Sequence, residues 1–396
     1  MLQIGVGLSS DSSTERAATE AAARAMSQAG ISQADLALVF FTVDHLSDQQ
    51  KMTAALARAT KTDRIVGCSG AGVLTGEGEI ERSPGVAVLV LASDRIESHL
   101  LYSQPLRGRD VEVGAEIAQA IRGKLDGDSI LVLFPDGYQS QPRHLFLGIE
   151  QRLGFLPVVG AGSSEDGTHG KSYQLCGEKI SDNAVSGFLL SGCFETKIGI
   201  TQGCQPITEP MVVTKADGNL ITEIDGRPAF EALTRVLRGP LSQDLRRALA
   251  FVFAGLPADP HGNTVGPGEY VVRNIVGVDP EKGILAVAEE VFEGERMIFT
   301  LRDSQRARED LIQMLQRQAK SLDGKTPRLG LYFNCCARGT PFYGIPGMDT
   351  AYIRQTLGDF PLIGFFGNFE LGPLGRMNRL LAYTGVLVLI TEKLNS

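Results

Sequence analysis

The sequence predicts an α/β fold with mixed, partly parallel sheets, built from three repeated strand-helix-strand-helix-strand-loop-strand units with an α+β insertion before the third. The first observation is an apolar segment that ends in phenylalanine and recurs at residues 36–40, 130–134 and 329–333. The second is a glycine that closes the next apolar segment 27, 26 and 31 positions later, at Gly67, Gly160 and Gly364. The third is a Gly-rich loop after each of these glycines. Strands that alternate with helices in this way indicate crossover connections and parallel strand pairs.

Each repeat is expected to open with a short strand, at residues 4–8, 100–103 and 298–301. An amphipathic helix follows each strand. The first helix is predicted to start at a capping box formed by Ser12 and Glu15, and the other two start after Asp110 and Asp303. The helix between the two central strands has a clear start signal in the second repeat, at Pro142. After the Gly-rich loops, a last strand is predicted at residues 85–90, 187–190 and 385–390.

Residues 205–296 differ in character from the repeats and are interpreted as the α+β insertion. Hairpin signals occur at Asp225-Gly226 and at residues 279–283, and a helix is predicted to start near Pro228. We therefore expect two domains. The first, residues 1–204, holds repeats one and two, and the second, residues 205–396, holds the insertion and repeat three.

Composition excludes several classes of protein. The net charge is −8 and no Lys/Arg-rich run occurs, so we expect no nucleic-acid partner. The N-terminus has no basic segment before an apolar one, and the longest apolar runs, residues 86–92 and 385–390, are too short to cross a membrane. The six cysteines form no C-x-x-C pair, and no two of the five histidines are close in sequence, so no metal site is predicted. We expect a cytoplasmic protein with free thiols and no membrane contact.

The Gly-rich loops are the first candidate for a binding site. In open α/β sheets, ligands bind beyond the carboxyl ends of the strands, where glycines leave backbone N–H groups available. Such glycines also serve simply to close tight turns, and for one loop alone that structural role is the stronger interpretation. No loop matches a P-loop or a complete G-x-G-x-x-G motif, so nucleotide binding is disfavoured and no cofactor is predicted.

The segment after the third Phe-ended strand, residues 334–339, is chemically the richest. A thiol at Cys335 and a guanidinium at Arg338 stand at a strand end and could hold a small anion, while Glu370 in the third loop would suit an ammonium group. Purely structural roles are open to the same residues: a buried cysteine often acts as a small apolar side chain, and Arg338 could pair with a structural acid such as Glu370. Likewise, Glu165 with its neighbour Asp166 could cap a helix.

The candidate ligand-binding residues share a position in or next to the three Gly-rich loops, and no residue is predicted to be catalytic. They are Cys68, Ser69, Gly70, Gly160, Gly162, Ser163, Ser164, Glu165, Asn334, Cys335, Arg338, Gly339, Gly364, Asn368 and Glu370.

Two groups of motifs resemble the FIST family (F-box and intracellular signal transduction). Residues 65–73 and 158–167 resemble the N-terminal FIST domain. The pattern Phe333-x-Cys335-x-x-Arg338-Gly339, with residues 361–373 and 383–385, resembles the C-terminal FIST domain. The resemblance implies a sensory module that binds small ligands such as amino acids. Phe369 departs from the family pattern, which usually has glycine before the glutamate.

The favoured hypothesis is a non-enzymatic intracellular sensor. A small ligand, for example an amino acid, would be anchored by Arg338 and Glu370, and a separate output protein would receive the signal, since no F-box, kinase or cyclase segment is found. One alternative is a thiol enzyme that uses Cys335 or Cys336 as the nucleophile in acyl or amidine transfer, although no base is apparent. The other is an assembly protein whose glycines are all structural.

Overall fold

A computed structural model describes residues 2–393 and divides the chain into two compact bodies. The repeat domain comprises the chain as far as Ile200, Ile312–Leu380, and the chain from Thr384 on. The insertion domain comprises Thr201–Leu311 and Leu381–Tyr383. The boundary expected near residue 204 is thus close to Thr201, but the third repeat lies with the first two repeats and not with the insertion.

The first two repeats have the same order of elements. The first contains β1 Gln3–Ser9, α1 Thr14–Ala29, β2 Leu36–Phe41, α2 Gln49–Thr60, β3 Ile65–Ser69, β4 Gly72–Thr75, β5 Gly78–Glu81 and β6 Val86–Ala92. The second contains β7 Ile96–Ser103, α3 Asp110–Ile121, β8 Asp128–Pro135, α4 Pro142–Leu153, β9 Val158–Ala161, β10 Gln174–Cys176, β11 Lys179–Ser181 and β12 Val185–Gly192. Each Gly-rich loop therefore leads into a short hairpin before the last strand.

The third repeat starts with β13 Phe194–Gln202 and is then interrupted. The interruption contains β14 Cys204–Pro206, β15 Met211–Asp217, β16 Leu220–Ile224, β17 Arg227–Pro228, α5 Ala229–Val236, α6 Leu245–Phe251, β18 Val252–Pro257, β19 Tyr270–Arg273, β20 Ile275–Asp279, β21 Ile284–Val287 and β22 Arg296–Arg302. The repeat resumes with α7 Ser304–Ser321, β23 Leu329–Cys335, α8 Thr340–Tyr343, α9 Met348–Leu357, β24 Leu362–Gly367, β25 Glu370–Leu374, β26 Met377–Leu381 and β27 Thr384–Glu392.

The repeat domain contains one six-stranded sheet per repeat, and the sheets exchange their hairpins. The strand orders are β1-β6-β2-β3-β10-β11, β7-β12-β8-β9-β25-β26 and β13-β27-β23-β24-β4-β5. The first repeat gives its hairpin to the third sheet, the third repeat to the second sheet, and the second repeat to the first. The central pairs β2–β3, β8–β9 and β23–β24 are parallel, whereas the last strands of the first two repeats, β6 and β12, pair antiparallel with β2 and β8. The predicted mixed, partly parallel α/β fold is confirmed.

The first strand of the third repeat is not the one that the sequence predicts. Residues 298–301 lie in β22, which pairs with β18, β15 and β14 in the insertion domain. The sheet position next to β27 is taken by β13. The insertion thus enters after the first strand of the repeat. Because its last strand ends just before α7, sequence order alone makes β22 look like part of the repeat.

The start of α1 is also different from the prediction. The N-cap is Ser13, whose side chain makes no capping hydrogen bond. The carboxylate of Asp11 accepts the Ser13 N–H (2.7 Å), and the Glu15 carboxylate accepts a hydrogen bond from Arg58 (2.7 Å). A capping box with Ser12 would need the Glu15 side chain, but this side chain pairs instead with Arg58, 43 residues away.

The repeated glycines have a common structural reason. Gly67, Gly160 and Gly364 pair with the residue before the repeated phenylalanine of the adjacent parallel strand. A Cβ atom at these glycines would lie only 1.7, 1.9 and 1.7 Å from a carbonyl oxygen of that strand. Only glycine permits this approach, so the matched spacing seen in the sequence reflects a matched register.

The three phenylalanines of the repeated segments meet at the centre of the repeat domain. The ring of Phe134 lies 5.2 Å from that of Phe40 and 6.0 Å from that of Phe333, measured between centroids. The Phe365 ring is 4.6 Å from Phe40 and completes the cluster. Since these residues end the central strands, the chain just beyond them, and the loops beside it, are directed to the same side of the core.

The insertion domain has its own core and a sheet of order β19-β18-β22-β15-β16-β21-β20, with β14 beside β22 and β17 beside β16. The predicted turns join β16 to β17 and β20 to β21, and α5 starts directly after Pro228. Within residues 2–393, no helix combines the length and the apolar character that crossing a membrane requires.

Candidate functional site

The three Gly-rich loops contact one another, and we call them the loop cluster: residues 67–72, 160–167 and 364–372. Ser164 of the second loop joins the other two. Its N–H donates to the carbonyl oxygen of Ser69 (3.1 Å), and its hydroxyl accepts from the N–H of Ala71 (2.8 Å) and donates to the carbonyl oxygen of Phe366. The Ser69 hydroxyl donates in return to the Ser164 carbonyl oxygen (2.8 Å). The sequence repeats thus converge on one place.

The second and third loops are joined along their backbones. The N–H of Gly162 donates to the carbonyl oxygen of Phe369 (2.9 Å), and the N–H of Asn368 donates to the carbonyl oxygen of Gly162 (3.0 Å). The Phe369 ring covers Gly162 so closely that a Cβ atom there would lie 2.5 Å from it. The exposed Asn368 side chain donates to the carbonyl oxygen of Gly137 (2.7 Å), which ties the end of β8 to the cluster.

Several predicted site residues serve the packing of the cluster. The Cys68 thiol is fully buried, and burial holds its pKa well above the usual range, so it stays neutral. The Ser163 hydroxyl is engaged by Ser172 (2.8 Å) and by the side-chain amide of Gln174 (2.6 Å). The N–H of Gly70 donates to a carbonyl oxygen at the end of β2 (2.9 Å). Cys68, Ser163 and Gly70 therefore contribute to the packing of the loop cluster.

Glu370 is the buried acid of the cluster. Its Oε2 atom accepts hydrogen bonds from the hydroxyl (2.6 Å) and the N–H (3.2 Å) of Thr384. Its Oε1 atom is buried and has no hydrogen-bond partner among the described residues. Burial, and then the nearby Cys335, hold the pKa of Glu370 well above its usual range despite the bonds from Thr384. Burial therefore favours the protonated form of a carboxyl group whose second oxygen has no hydrogen-bond partner among the described residues.

The two adjacent cysteines at the end of β23 have opposite environments. Cys335 is buried, with 4% of its surface exposed, whereas Cys336 is exposed. The backbone N–H of Cys336 donates to the carbonyl oxygen of Gly367 in the third loop (2.8 Å). A hydrogen bond from the Cys335 thiol lowers the pKa of Cys336. Partial desolvation by the surrounding protein and the nearby acids Glu370 and Glu165 oppose this effect.

Arg338 lies in a buried polar network beneath the strand end. Its Nη2 atom donates to Asp349 Oδ2 (3.2 Å) and to the Tyr343 hydroxyl (2.6 Å), and both charged side chains are 1% exposed. The same Asp349 oxygen accepts from the Tyr332 hydroxyl (2.7 Å) and from the Asn334 side-chain amide (2.9 Å). The acid that pairs with Arg338 is therefore Asp349 and not Glu370. Arg338 and Asn334, both predicted ligand contacts, are turned into the protein.

The exchanged hairpin of the first repeat adds two acids to this network. Glu81 accepts hydrogen bonds from the N–H (3.0 Å) and hydroxyl (2.7 Å) of Thr340, at the start of α8. Gly339 makes room for it, since a Cβ atom there would lie 2.4 Å from a Glu81 oxygen. Glu79 accepts from the N–H of Thr350 (3.1 Å), and burial followed by the charge of Asp349 raises the pKa of Glu79 to about 7. Both acids sit at helix N-termini, where negative charge is favoured.

Glu165 is a second buried acid of the cluster, and the exposed side chain of Tyr138 contacts it. Its Oε1 atom accepts from the Tyr138 hydroxyl (2.6 Å), and Oε2 accepts from the N–H groups of residues 167–169 at 2.8–2.9 Å. Oε2 of Glu165 thus has the capping role that the sequence left open, although it caps a turn and not a helix. Glu165, Asp166 and His169 have donor atoms within 4.8 Å of one another and could hold a metal ion, but the Glu165 oxygens are already engaged.

Sequence reasoning missed the partners that lie on other elements. Asp349 stands 11 residues beyond Arg338 on a separate helix, Tyr138 belongs to the second repeat, and Glu79 and Glu81 arrive through the exchanged hairpin. The only local signal was the acidic residue in the first turn after Gly347, which is typical of a helix start.

Family models match most of the chain. The FIST N domain model matches residues 35–227, and the FIST C domain model matches residues 229–373.

Whole-length relatives are found in mycobacteria. An uncharacterized protein of Mycobacterium tuberculosis (strain ATCC 25618 / H37Rv) is 29% identical over 392 residues, which cover 99% of this chain and 100% of that protein.

A partial match is found outside the mycobacteria. An uncharacterized protein of Methanocaldococcus jannaschii is 24% identical over 327 residues, covering 78% of this chain and 59% of that protein.

Among solved structures, a cyanuric acid hydrolase matches with a TM-score of 0.37 and 12% identity, covering 99% of this chain and 100% of that chain. The cyanuric acid hydrolase of A. caulinodans matches with a TM-score of 0.30 and 13% identity, covering 48% of this chain and 70% of that chain.

Proposed function

The chain belongs to the FIST family, and from this premise we propose that it is a non-enzymatic sensor that binds a small ligand at the loop cluster and signals through a partner chain. FIST domains are generally sensory domains of signal transduction. We place the protein in the cytoplasm because all six cysteines are thiols, as is usual in a reducing compartment.

The observation that carries this proposal is the state of Glu370. A buried carboxyl oxygen without a hydrogen-bond partner costs free energy, on the order of 1–3 kcal/mol, which a ligand that donates to it would recover. An ammonium group is the donor that best fits a carboxylate. We therefore propose that the ligand is a small amine, with amino acids as the first candidates.

The anchoring role falls to Glu370 more than to Arg338. A ligand carboxylate could reach the Arg338 guanidinium only after breaking its buried pair with Asp349, and breaking such a pair costs about 3–5 kcal/mol. We therefore assign Arg338 a positioning role, in which it holds Asp349 and the turn after β23.

Ligand binding requires a change of conformation, because the Glu370 side chain is 0% exposed. The ligand must select a state in which the groups that cover Glu370 have moved away from it. A ligand that binds this state better than the closed one shifts the population toward it, which is how a sensor transmits a signal. Binding of an ammonium group would also ionise Glu370.

A thermal-shift screen of amino acids and simple amines at millimolar concentration tests the proposal. At least one compound is expected to raise the melting temperature of the wild-type protein by about 2 °C or more. Glu370→Gln keeps the size of the side chain but cannot ionise, so it should abolish that shift. Glu77→Gln, the same change at an exposed position, is the matched control and should keep the shift.

Two results would count against the sensor: no stabilisation by any compound, or equal stabilisation of the Glu370→Gln variant.

The alternative is a thiol enzyme with Cys336 as nucleophile, and it is favoured by the lowered pKa of Cys336. The groups that act on Cys336 electrostatically are the acids Glu370 and Glu165, which are poor activating partners for a thiolate. Turnover of a thioester or amidine substrate that is lost in Cys336→Ser would support the enzyme instead.

A further inference from the structure

The Cys335–Cys336 pair has features that ligand binding does not use. Among the six cysteines, Cys336 is exposed, Cys176 and Cys193 are partly exposed, and the others are buried. The Cys335 thiol lies directly against Cys336 and donates a hydrogen bond to it. An accessible sulfur thus has a second thiol in contact with it, on the adjacent residue of the chain.

This arrangement has the parts of a reversible oxidation site. Oxidants react with accessible sulfur atoms that have thiolate character, and a neighbouring thiol can then resolve the product. The hydrogen bond from Cys335 lowers the pKa of Cys336 and so raises the thiolate fraction. In contrast, burial raises the pKa of Cys176, which makes it a suitable internal reference.

We propose that Cys336 reacts with hydroperoxides and that Cys335 resolves the product, so that the chain carries a reversible oxidation site beside the third Gly-rich loop. In the first step, the Cys336 thiolate attacks one oxygen of the hydroperoxide. A sulfur–oxygen bond forms, the oxygen–oxygen bond breaks, and the alkoxide or hydroxide that leaves takes up a proton. The product is a sulfenic acid at Cys336.

In the second step, the Cys335 thiol loses its proton and attacks the Cys336 sulfur. A disulfide bond forms, the sulfur–oxygen bond breaks, and the leaving hydroxide takes up a proton to become water. Together, the two steps convert two thiols and one hydroperoxide into one disulfide, one alcohol or water molecule, and one further water molecule. The hydroperoxide is the oxidant, and both sulfur atoms are oxidised.

The bond would join neighbouring residues, whose Cα atoms are about 3.8 Å apart across a trans peptide, closer than the usual disulfide range of about 4.4–6.8 Å. Such a bond is strained, and strained disulfides are the ones that are easily reduced. Closing the ring must turn the peptide between Cys335 and Cys336. That movement breaks the Cys336 hydrogen bond to Gly367 (2.8 Å) and disturbs the one from the Arg338 N–H to the Cys335 carbonyl oxygen (2.8 Å). Oxidation would therefore change the conformation of the third Gly-rich loop.

The test treats the full chain with one equivalent of hydrogen peroxide and analyses the peptides by mass spectrometry. In the wild type, the peptide that contains both cysteines should lose the mass of two hydrogen atoms, and a thiol reductant should restore it. Cys335→Ser should stop at the sulfenic acid, which dimedone traps on Cys336. Cys336→Ser should slow oxidation of this peptide by about tenfold or more, and Cys176→Ser should change nothing.

The wild-type spectra decide the matter even if a variant does not fold. The proposal fails if the wild-type peptide is not oxidised at stoichiometric peroxide, or if it gains oxygen at Cys336 without ever forming the disulfide. It also fails if Cys176 is oxidised before Cys336. Because no amine ligand enters this experiment, its outcome is separate from that of the ligand screen.

Discussion

At the residue scale, the fold changes the chemistry of two acids most. Burial at the loop cluster raises the pKa of Glu370 well above its usual range and favours its protonated form, whereas burial and the charge of Asp349 raise the pKa of Glu79 to about 7. Both effects come from contacts between different elements. Glu370 and Arg338 could be selected from the sequence, because one is acidic, the other is basic, and both lie in or near the Gly-rich loops. Their real partners, Thr384 and Asp349, could not, because sequence distance carries no information on which elements meet.

Glu79→Gln tests the residue scale through pH. The pKa of Glu79 is raised from 4.5 to about 7, so between these values the folded protein binds more protons than the unfolded chain. This contribution to stability therefore falls as pH rises through that window and is fully lost above it. At about pH 8 the variant, which keeps an acceptor for Thr350, should be more stable than the wild type by about 1–2 kcal/mol.

Urea unfolding at about pH 5 and about pH 8 provides the measurement. The difference in free energy of unfolding between variant and wild type should shift in favour of the variant at the higher pH. Glu77→Gln, at an exposed position of the same hairpin, is the control. A difference that stays constant with pH would mean that Glu79 titrates as an ordinary surface acid.

At the element scale, the repeat is a strand-helix-strand-helix-strand unit whose hairpin belongs to another sheet. Periodicity and glycine spacing were sufficient to predict the central strands and the helices of each repeat, since these depend on local sequence and on burial. The exchange of hairpins between sheets could not be predicted from the sequence, because a hairpin has the same turn signals whichever sheet it joins. For the same reason β22 was mistaken for β13, as both are short apolar strands followed by a polar segment.

The repeated glycines give the prediction at this scale. Gly67→Ala or Gly364→Ala puts a Cβ atom 1.7 Å from a carbonyl oxygen, so the parallel strands must separate. Each substitution should lower the free energy of unfolding by about 3 kcal/mol or more. Gly123→Ala is the control, because a Cβ atom there meets nothing within 4 Å and its stability should be almost unchanged. Wild-type stability in either strand variant would disprove the matched register.

At the scale of the repeat domain, three copies of one unit place their Phe-ended strands around a shared aromatic centre. The Gly-rich loops then meet on one side of it, through the hydrogen bonds that Ser164 and Gly162 make with their neighbours. The repetition predicted the three loops but not whether they meet at one place. Which side chains would fill the meeting point was not predictable either, since Phe369 and the exchanged hairpins decide it. The shared position is the reason why we propose a single ligand site formed by all three repeats.

The central claim is that a small amine binds by ionising Glu370, and infrared difference spectroscopy tests it most directly. A neutral carboxyl group has a carbonyl stretch that a carboxylate lacks. We predict that saturating wild-type protein, at neutral pH, with the amine that stabilises it most removes one such band, and that the band is absent from Glu370→Gln. If the amine binds while this band stays unchanged, Glu370 is not its anchor and the claim is contradicted.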